Sequence, residues 1–259
     1  MKMQHWIPAC AVATSLLASA ASFSQVTEDG MGKILPVELY VCQFMDGKGH
    51  GDLEPVVAQW NAFMDEHDVN GYAAWLLTPY YRGAEQNFDV LWMGAATDGN
   101  AMGRGAHHWI TEGGEVAAAF AEVMDCPVHL GLASAMYKAP PKGNTSGLQV
   151  ISMSDCKMNE GTRYSDVRSA EVEWAQHLSD AGSDAAYYHW FPDFGGGDQD
   201  FDYKLVYGYT DLKRMGSNWE MMANGGGRTK SKEIFGDLDE CDDSRVYVGK
   251  SIRSTKLRK

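Results

Sequence analysis

The chain contains an internal repeat, and this repeat limits the folds that it can adopt. A cysteine, a glycine and a tryptophan recur with one offset of 114 residues: Cys42 and Cys156, Gly47 and Gly161, Trp60 and Trp174. A recurrence of this kind is typical of a supersecondary unit that is built twice. We therefore expect the 259 residues to fold as two similar units.

The same order of predicted elements appears in both copies. In the first copy, strands are expected at 35–44, 71–82, 88–97 and 129–137, and helices at 52–68 and 115–126. In the second, strands are expected at 148–155, 185–191, 201–210 and 245–252, and helices at 165–178 and 231–241. Apolar residues at helical spacing and runs rich in β-branched and aromatic residues support these assignments. The order β-α-β-β-α-β is that of the ferredoxin-like unit, at 34–138 and again at 148–253, with a linker at 139–147.

The first 24 residues are predicted to be a secretory signal peptide. Lys2 precedes a run of apolar and small residues, and Ala18-Ser19-Ala20 is a typical cleavage motif. The run is too short and too rich in alanine and serine for a membrane span. We expect an exported protein without a membrane span, periplasmic or extracellular. The formal charge of −13 argues against nucleic acid as a partner, and the basic residues at 254–259 are expected to form a solvated tail.

Four cysteines remain after the predicted signal peptide, and the topology indicates how they pair. Cys42 ends the first strand of its unit, and Cys126 lies just before the fourth strand. These strands are antiparallel neighbours in a ferredoxin-like sheet, so the two cysteines should meet. Cys156 and Cys241 have the same positions in the second unit. We predict the disulfides Cys42–Cys126 and Cys156–Cys241, with buried free thiols as the alternative.

Strands in both units carry bulky residues on both sides, for example at 72–77 and 185–191. This pattern predicts that the sheet face opposite the helices is also buried, against the other unit. The arrangement resembles the dimeric α+β barrel superfamily, fused in tandem within one chain as a monomeric pseudo-dimer, although a homo-oligomer stays open. That superfamily includes the antibiotic-biosynthesis-monooxygenase, NIPSNAP-like and stress-responsive A/B-barrel families, and the tandem haem-binding chlorite dismutase-like proteins.

The resemblance implies a fold and a class of function. It implies an α+β barrel that binds a small, largely apolar or aromatic molecule, with cofactor-independent oxygenase or isomerase-type chemistry as one option. A non-enzymatic binding or structural protein of the cell envelope is a second hypothesis, and a haem-binding protein is a third. No motif specific to one family is present, so neither a cofactor nor a substrate is predicted.

Candidate site residues come first from the first strand. Glu38 and Tyr40 share one face of this strand, and the alternate positions are apolar and suit the helix side. We therefore expect Glu38 and Tyr40 to point into the barrel, where Glu38 could act as acid or base and Tyr40 could bind a ligand. An ion pair of Glu38 with His129 or Arg245 is the structural alternative.

The two Gly-rich connections after the third strands, at 98–114 and 211–228, share the pattern Thr-Asp-x-x-x-Met-Gly followed by a tryptophan. They are predicted to form lids over a cavity, with Trp109 and Trp219 as ligand-binding walls; capped turns are the alternative. His108 lies in the first connection only and is a candidate catalytic residue. Its surroundings lack H-x-x-x-H or H-E-x-x-H spacing, so no metal site is predicted.

Two further candidates lie in the second unit. His189 is in the middle of a strand, where it could be a general base, a haem ligand or a hydrogen-bonded core residue. In the haem-binding proteins that the chain resembles, the axial histidine comes from the second half, which implies His189 or His177 as the ligand here. The position of His177 on a predicted helix, matching Phe63, argues against it. Tyr207 lies on a strand face lined with tyrosines and is a candidate ligand-binding residue.

Overall fold

A computed structural model describes residues 32–84, 86–140, 147–197 and 199–255. The predicted signal peptide lies outside these residues, as do parts of the predicted linker and of the basic tail. The first repeat contains β1 (Leu35–Phe44), α1 (His50–Glu66), β2 (Tyr72–Tyr81), β3 (Val90–Ala96), α2 (Gly99–Glu112), α3 (Gly114–Ala121) and β4 (Met124–Lys138). The second repeat contains β5 (Leu148–Met158), α4 (Tyr164–Asp180), β6 (Ala186–Phe194), β7 (Tyr203–Tyr209), α5 (Leu212–Ala223), α6 (Gly227–Phe235), β8 (Asp239–Cys241) and β9 (Arg245–Arg253).

The strands form one closed antiparallel barrel. Each repeat has the strand order of a ferredoxin-like unit, β4-β1-β3-β2 in the first and β9-β5-β7-β6 in the second. The repeats are joined at two seams, where β2 pairs with β9 and β4 pairs with β6. The short strand β8 pairs with β5 beyond the end of β9, so β8 and β9 together take the place of β4. The fold is thus a tandem duplication that forms an α+β barrel, as predicted.

The interior of the barrel is filled by apolar side chains from all eight long strands. The buried members of this cluster are each no more than 6% exposed: Val37, Leu39, Leu77, Leu91, Met93, Leu132, Ile151, Met153, Trp190, Val206 and Tyr247. A cluster to which every strand contributes can only be the enclosed face of the sheet. The strands therefore bury one face in the barrel and the other beneath the helices.

This packing reverses the predicted orientation of β1. Val37 and Leu39 point into the barrel, whereas Tyr40 and Cys42 belong to the cluster that packs against α1. Strand alternation assigns residues to two faces but does not say which face is inside. The closed barrel excludes water, while the edges of the helix layer stay partly accessible. The face that carries Glu38 is therefore the outer one, and the expectation that Glu38 and Tyr40 point into the barrel was wrong.

Both predicted disulfides, Cys42–Cys126 and Cys156–Cys241, are present. In each repeat the disulfide joins the end of the first strand to the segment that pairs beside it, as the topology required. Each one closes a loop of more than 80 residues.

The segments predicted as Gly-rich lids are instead the helices α2 and α5. The side chain of Asp98 accepts a hydrogen bond from the amide of Ala101 at 2.8 Å, and Asp211 accepts one from Arg214 at 2.9 Å. These N-caps satisfy amide groups that a helix start leaves free and offset part of the low helix propensity of the glycines. Among the described residues, no helix is both long and apolar enough to cross a membrane.

Candidate functional site

Glu38 lies at the centre of a hydrogen-bonded cluster on the outer face of the first repeat. One carboxylate oxygen accepts a hydrogen bond from the hydroxyl of Tyr72, and the other lies 2.9 Å from Nε2 of His129. The ring of Tyr40 stacks on His129, with 3.7 Å between ring centroids. The alternative of a Glu38–His129 pair is thus what the structure shows. We call Tyr72, Glu38 and His129 the first triad.

The first triad is accessible from solvent on one side. The side chain of His129 is 49% exposed and that of Glu38 is 17% exposed, whereas Tyr72 is buried. Burial, together with the charge of Glu38, raises the pKa of Tyr72 well above its usual range. Tyr72 therefore stays protonated and donates a hydrogen bond to Glu38. The buried Tyr72 orients the carboxylate, and the exposed His129 connects it to solvent.

Small residues surround Glu38 on the sheet surface. In the strand register, Glu38 is flanked by Gly94 on β3 and by Gly131 on β4. A Cβ atom at Gly94 would collide with the hydroxyl of Tyr72 and lie 3.0 Å from Cγ of Glu38. One at Gly131 would lie 2.9 Å from the ring of Phe194, which is itself 68% exposed. The first triad and the neighbouring Phe194 ring thus require glycine at both positions.

In the second repeat, larger side chains occupy the positions that match those around Glu38. The residue at the position of Glu38 is Ser152, and its register neighbours are Tyr207 and Val246 where the first repeat has glycines. The indole Nε1 of Trp174 donates a hydrogen bond to the hydroxyl of Tyr207 at 2.9 Å, which holds the ring beneath α4. The predicted ligand-binding residue Tyr207 is therefore placed under a helix.

A second triad with the same three residue types lies inside the second repeat. The carboxylate of Glu171, on α4, accepts a hydrogen bond from the hydroxyl of Tyr187 and lies 2.7 Å from Nε2 of His189. The side chains of Glu171 and His189 are 2% and 0% exposed. Buried charges need partners of this kind, because an unpaired carboxylate in an apolar layer is costly. His189 is thus a hydrogen-bonded core residue, the structural alternative left open by the sequence.

The constant offset of 114 residues would match His189 with Trp75, but the strand register shows that this offset does not hold there. His189 faces the helices and Trp75 faces the barrel, so they do not occupy matching positions. The register of β6 with β7, compared with that of β2 with β3, places His189 at the position of Leu76 and Tyr188 at that of Trp75. Glu171 corresponds to Val57, because Trp174 and Trp60 match on α4 and α1. The second triad is therefore specific to the second repeat.

Haem does not fit His189 as the side chains are placed. Nδ1 of His189 is buried without a hydrogen-bond partner among the described residues, which would leave it free to bind a ligand. However, Tyr203 stacks on the imidazole at 4.1 Å, and Tyr137 meets it edge-on at 4.9 Å. A porphyrin would have to displace both rings. His177, the other candidate, stacks on Trp174 at 5.1 Å.

The two tryptophans predicted as lid walls lie in different surroundings. Trp109 packs against Phe63 and Phe120 within the helix layer of the first repeat, whereas Trp219 is 55% exposed on α5. Trp109 follows its aspartate N-cap by eleven residues and Trp219 by eight, so they sit nearly one turn apart on their helices. Neither covers the barrel interior, since both belong to the outer layer.

His108 lies in a cluster that the sequence pattern did not reveal. Its Nδ1 is 2.8 Å from Oε1 of Glu112, one turn later on α2, and Nδ1 of His67 is 3.8 Å from Oε2 of the same carboxylate. The imidazoles of His67 and His108 stack, with 4.6 Å between centroids. His67 and Glu112 were missed because the segment 98–114 was taken as an irregular connection. On a helix, the spacing from His108 to Glu112 would have placed both on one face.

Comparison with solved structures identifies similar folds. A candidate chlorite dismutase superposes with a TM-score of 0.51 at 11% identity, over 85% of this chain and 96% of that chain. A haem-binding protein from Thermus thermophilus superposes with a TM-score of 0.51 at 8% identity, over 85% of this chain and 92% of that chain. No protein-family model matches the chain, and no curated protein matches it in sequence. At these identities the likeness shows the α+β barrel fold alone.

Proposed function

We propose that this protein binds a small, largely apolar or aromatic molecule on the outer face of the first repeat, around Glu38. The observation that carries the proposal is the difference between the repeats at one register position. Gly94 and Gly131 let the Tyr72 hydroxyl and the Phe194 ring approach a carboxylate in the first repeat, whereas Tyr207 and Val246 occupy these register positions in the second. The apolar filling of the barrel supports a site on the outer face.

The surroundings of Glu38 suit a ligand with an aromatic ring and one polar group. The exposed ring of Phe194 lies over Gly131, and the stacked rings of Tyr40 and His129 form the other border. A flat ring can pack against such side chains with a favourable stacking energy of about 0.5–1.5 kcal/mol per aromatic pair. The carboxylate of Glu38 would accept a hydrogen bond from a hydroxyl or amine on the ligand.

The first triad also supplies a means of proton transfer, which is the chemistry an isomerase without a cofactor requires. Tyr72 and His129 orient the carboxylate of Glu38, and the half-exposed imidazole of His129 connects it to solvent. Glu38 would accept a proton from the ligand and return it at another atom, as a general base followed by a general acid. His129 would exchange protons with water.

Glu38→Gln tests this proposal, because glutamine keeps the shape of the side chain and removes its charge and basicity. Wild type and variant are screened by thermal shift against a panel of aromatic phenols, amines and carboxamides. A compound that raises the melting temperature of the wild type is expected to bind Glu38→Gln and Phe194→Ala at least about tenfold more weakly, which corresponds to about 1.4 kcal/mol.

Ser152→Ala is the matched control, since it alters the same register position in the second repeat. This variant is expected to bind the compound as the wild type does. Equal affinity of wild type and Glu38→Gln, or loss of binding in Ser152→Ala alone, would contradict a site at Glu38. Isomerisation of a bound compound by wild type but not by Glu38→Gln would support proton transfer.

Haem binding is the second candidate function, and two observations favour it. One of the similar structures is named as a haem-binding protein, and Nδ1 of His189 is buried without a partner among the described residues. The stacked Tyr203 and the edge-on Tyr137 stand against it. An absorption spectrum with added haemin tests this candidate. A Soret shift in the wild type that is lost in His189→Ala favours haem binding, and the lack of a shift in the wild type removes the candidate.

We also propose that the protein is exported. Both disulfides support the proposal, because structural disulfides persist in oxidising compartments and are rare in the cytosol. Mass spectrometry of the protein expressed in full length measures the outcome. Loss of the first 24 residues is expected, and a full-length protein with reduced cysteines would contradict export.

A further inference from the structure

The first repeat carries a cluster of three metal-ligating side chains where the end of α1 meets α2. His67 caps the end of α1, and His108 and Glu112 lie one turn apart on α2. One ligand atom from each residue lies within 4.8 Å of the other two. Two imidazoles and one carboxylate form a donor set that catalytic zinc sites use, with a water in the remaining position.

The distances between these atoms allow a metal ion to bind after side-chain adjustment. A tetrahedral zinc ion with bonds of about 2.0–2.2 Å holds its ligand atoms about 3.3 Å apart. Nδ1 of His108 lies 2.8 Å from Oε1 of Glu112 and Nδ1 of His67 lies 3.8 Å from Oε2, so the two imidazoles contact different oxygens of one carboxylate. All three ligand atoms lie within 4.8 Å of one another, so shifts of no more than about 1.5 Å, within reach of side-chain rotations, would bring them to the spacing of a tetrahedral site.

The fold holds the ligands in place. After α1, the chain turns at Asp68, whose φ of 55° is in the left-handed region, and this turn leaves His67 beside α2. The ring of Phe63 lies 4.4 Å from that of His67 and is itself packed against Trp109. The ligands thus have an apolar wall on one side and solvent on the other, with side-chain exposures of 17% for His67, 32% for His108 and 48% for Glu112. An ion can enter without any movement of the backbone.

The donor set selects the kind of cation. Imidazole nitrogen suits zinc and other divalent transition metals, whereas magnesium and calcium prefer sites made of oxygen atoms. In the second repeat, Ala181 caps α4 where His67 caps α1, so the set is specific to the first repeat. We propose that His67, His108 and Glu112 bind one divalent transition-metal ion, zinc as the first choice, with the fourth position open to water or to an anionic oxygen.

The test uses the full chain, freed of metal with a chelator and dialysed against ZnCl2. One zinc ion per chain is expected at equilibrium. His67→Ala, His108→Ala and Glu112→Gln are each expected to weaken zinc binding by a factor of roughly ten or more. Glu112→Gln is the most informative variant, because its amide can still accept a hydrogen bond from His108 and so preserves a purely structural role. Circular dichroism checks that each variant is folded.

His107→Ala is the matched control, because His107 precedes His108 on the same helix and lies outside the ligand set, with 5.9 Å between the two rings. This variant is expected to bind zinc with unchanged affinity. Cobalt in place of zinc gives a second readout, since visible absorption of the wild-type complex reports nitrogen and oxygen ligands. The proposal is overturned by less than stoichiometric zinc, by binding that survives His108→Ala and Glu112→Gln, or by equal loss in His107→Ala.

Discussion

Alkaline pH should unfold this protein abruptly, because many of its tyrosines are buried as neutral phenols. Five of them are no more than 6% exposed and have strongly raised pKa values: Tyr72, Tyr137, Tyr187, Tyr203 and Tyr209. In every case burial is the largest cause of the rise. In the unfolded chain the same phenols ionise at about pH 10. The stability that they contribute is therefore complete below about pH 10 and is lost as the pH rises above it.

The size of the effect follows from linkage. At about pH 11, one unit above the unfolded-state pKa, each buried tyrosine favours the unfolded state by about 1.4 kcal/mol, and the five together by about 7 kcal/mol. At about pH 11.5 the sum reaches about 10 kcal/mol. Typical domains are stable by about 5–15 kcal/mol, so the transition is expected between about pH 10.5 and 12.

The assay follows tyrosinate absorbance and far-ultraviolet circular dichroism during one titration with base. Both signals are expected to change together in a step that is steeper than the ionisation of a single group. Tyr209→Phe, which loses only a hydrogen bond from Asn218 at 3.1 Å, should reduce the dependence of unfolding free energy on pH by about 1.4 kcal/mol per unit above about pH 10. Tyr81→Phe is the control, because Tyr81 is 57% exposed and its phenol meets water in both states. A gradual tyrosinate signal with unchanged dichroism would refute the reasoning.

Three further predictions concern stability and are measured by urea unfolding. Glu171→Leu should lower the free energy of unfolding by about 3–5 kcal/mol, because it leaves His189 buried without its partner. The double variant with His189→Leu should recover part of this loss, and an equal loss in the single and double variants would contradict the reasoning. Replacing Cys156 and Cys241 together by serine should lower the unfolding free energy by about 4.5 kcal/mol, through the closed loop of 85 residues; no change would show that the unfolded chain is already constrained. Gly94→Ala should lower the free energy of unfolding by about 1–3 kcal/mol, because the added Cβ displaces the Tyr72 hydroxyl from Glu38. An unchanged urea midpoint would show that the strands shift to accommodate the methyl group.

The architecture could be predicted from the sequence because several signals agreed. The constant offset between the copies, the order of apolar patterns and the even number of cysteines all pointed to the same duplicated unit. The disulfide pairing followed from topology alone, since only neighbouring strands bring Cys42 to Cys126. These features depend on the order of elements along the chain, which the sequence shows directly.

The side of the sheet that each residue faces could not be predicted in the same way. Alternation along β1 separates Glu38 from Val37, but both faces of this sheet are covered, one by the barrel and one by helices. Glu38 was assigned to the inside because the apolar residues that alternate with it were assigned to the helix side. The inside is the drier of the two faces, and a carboxylate is stable only where Tyr72 and His129 reach it.

The metal-ligating group escaped prediction for a related reason. His67 and Glu112 are 45 residues apart in the sequence and meet because α2 packs beside the end of α1. Three glycines between Asp98 and His107 made α2 look irregular, so the spacing from His108 to Glu112 carried no meaning. The Asp98 side chain, as the N-cap, was the signal that could have corrected it.

The closed strand order has a consequence for how the chain could be rewired. β1 begins where β4 ends, and β5 begins where β9 ends, as the pairings of Leu35 with Ser134 and of Leu148 with Lys250 show. Both places lie at one end of the barrel, because β1 and β2 begin beside the end of β3 and Ala74 on β2 pairs with Arg253 on β9. The strand pairings of the barrel therefore do not depend on which repeat comes first in the chain. A circular permutant that starts at β5, runs to β9 and continues through a short bridge into β1 would keep every seam and both disulfides. The order of the repeats is set by the connectivity of the polypeptide, and the packed structure does not require it.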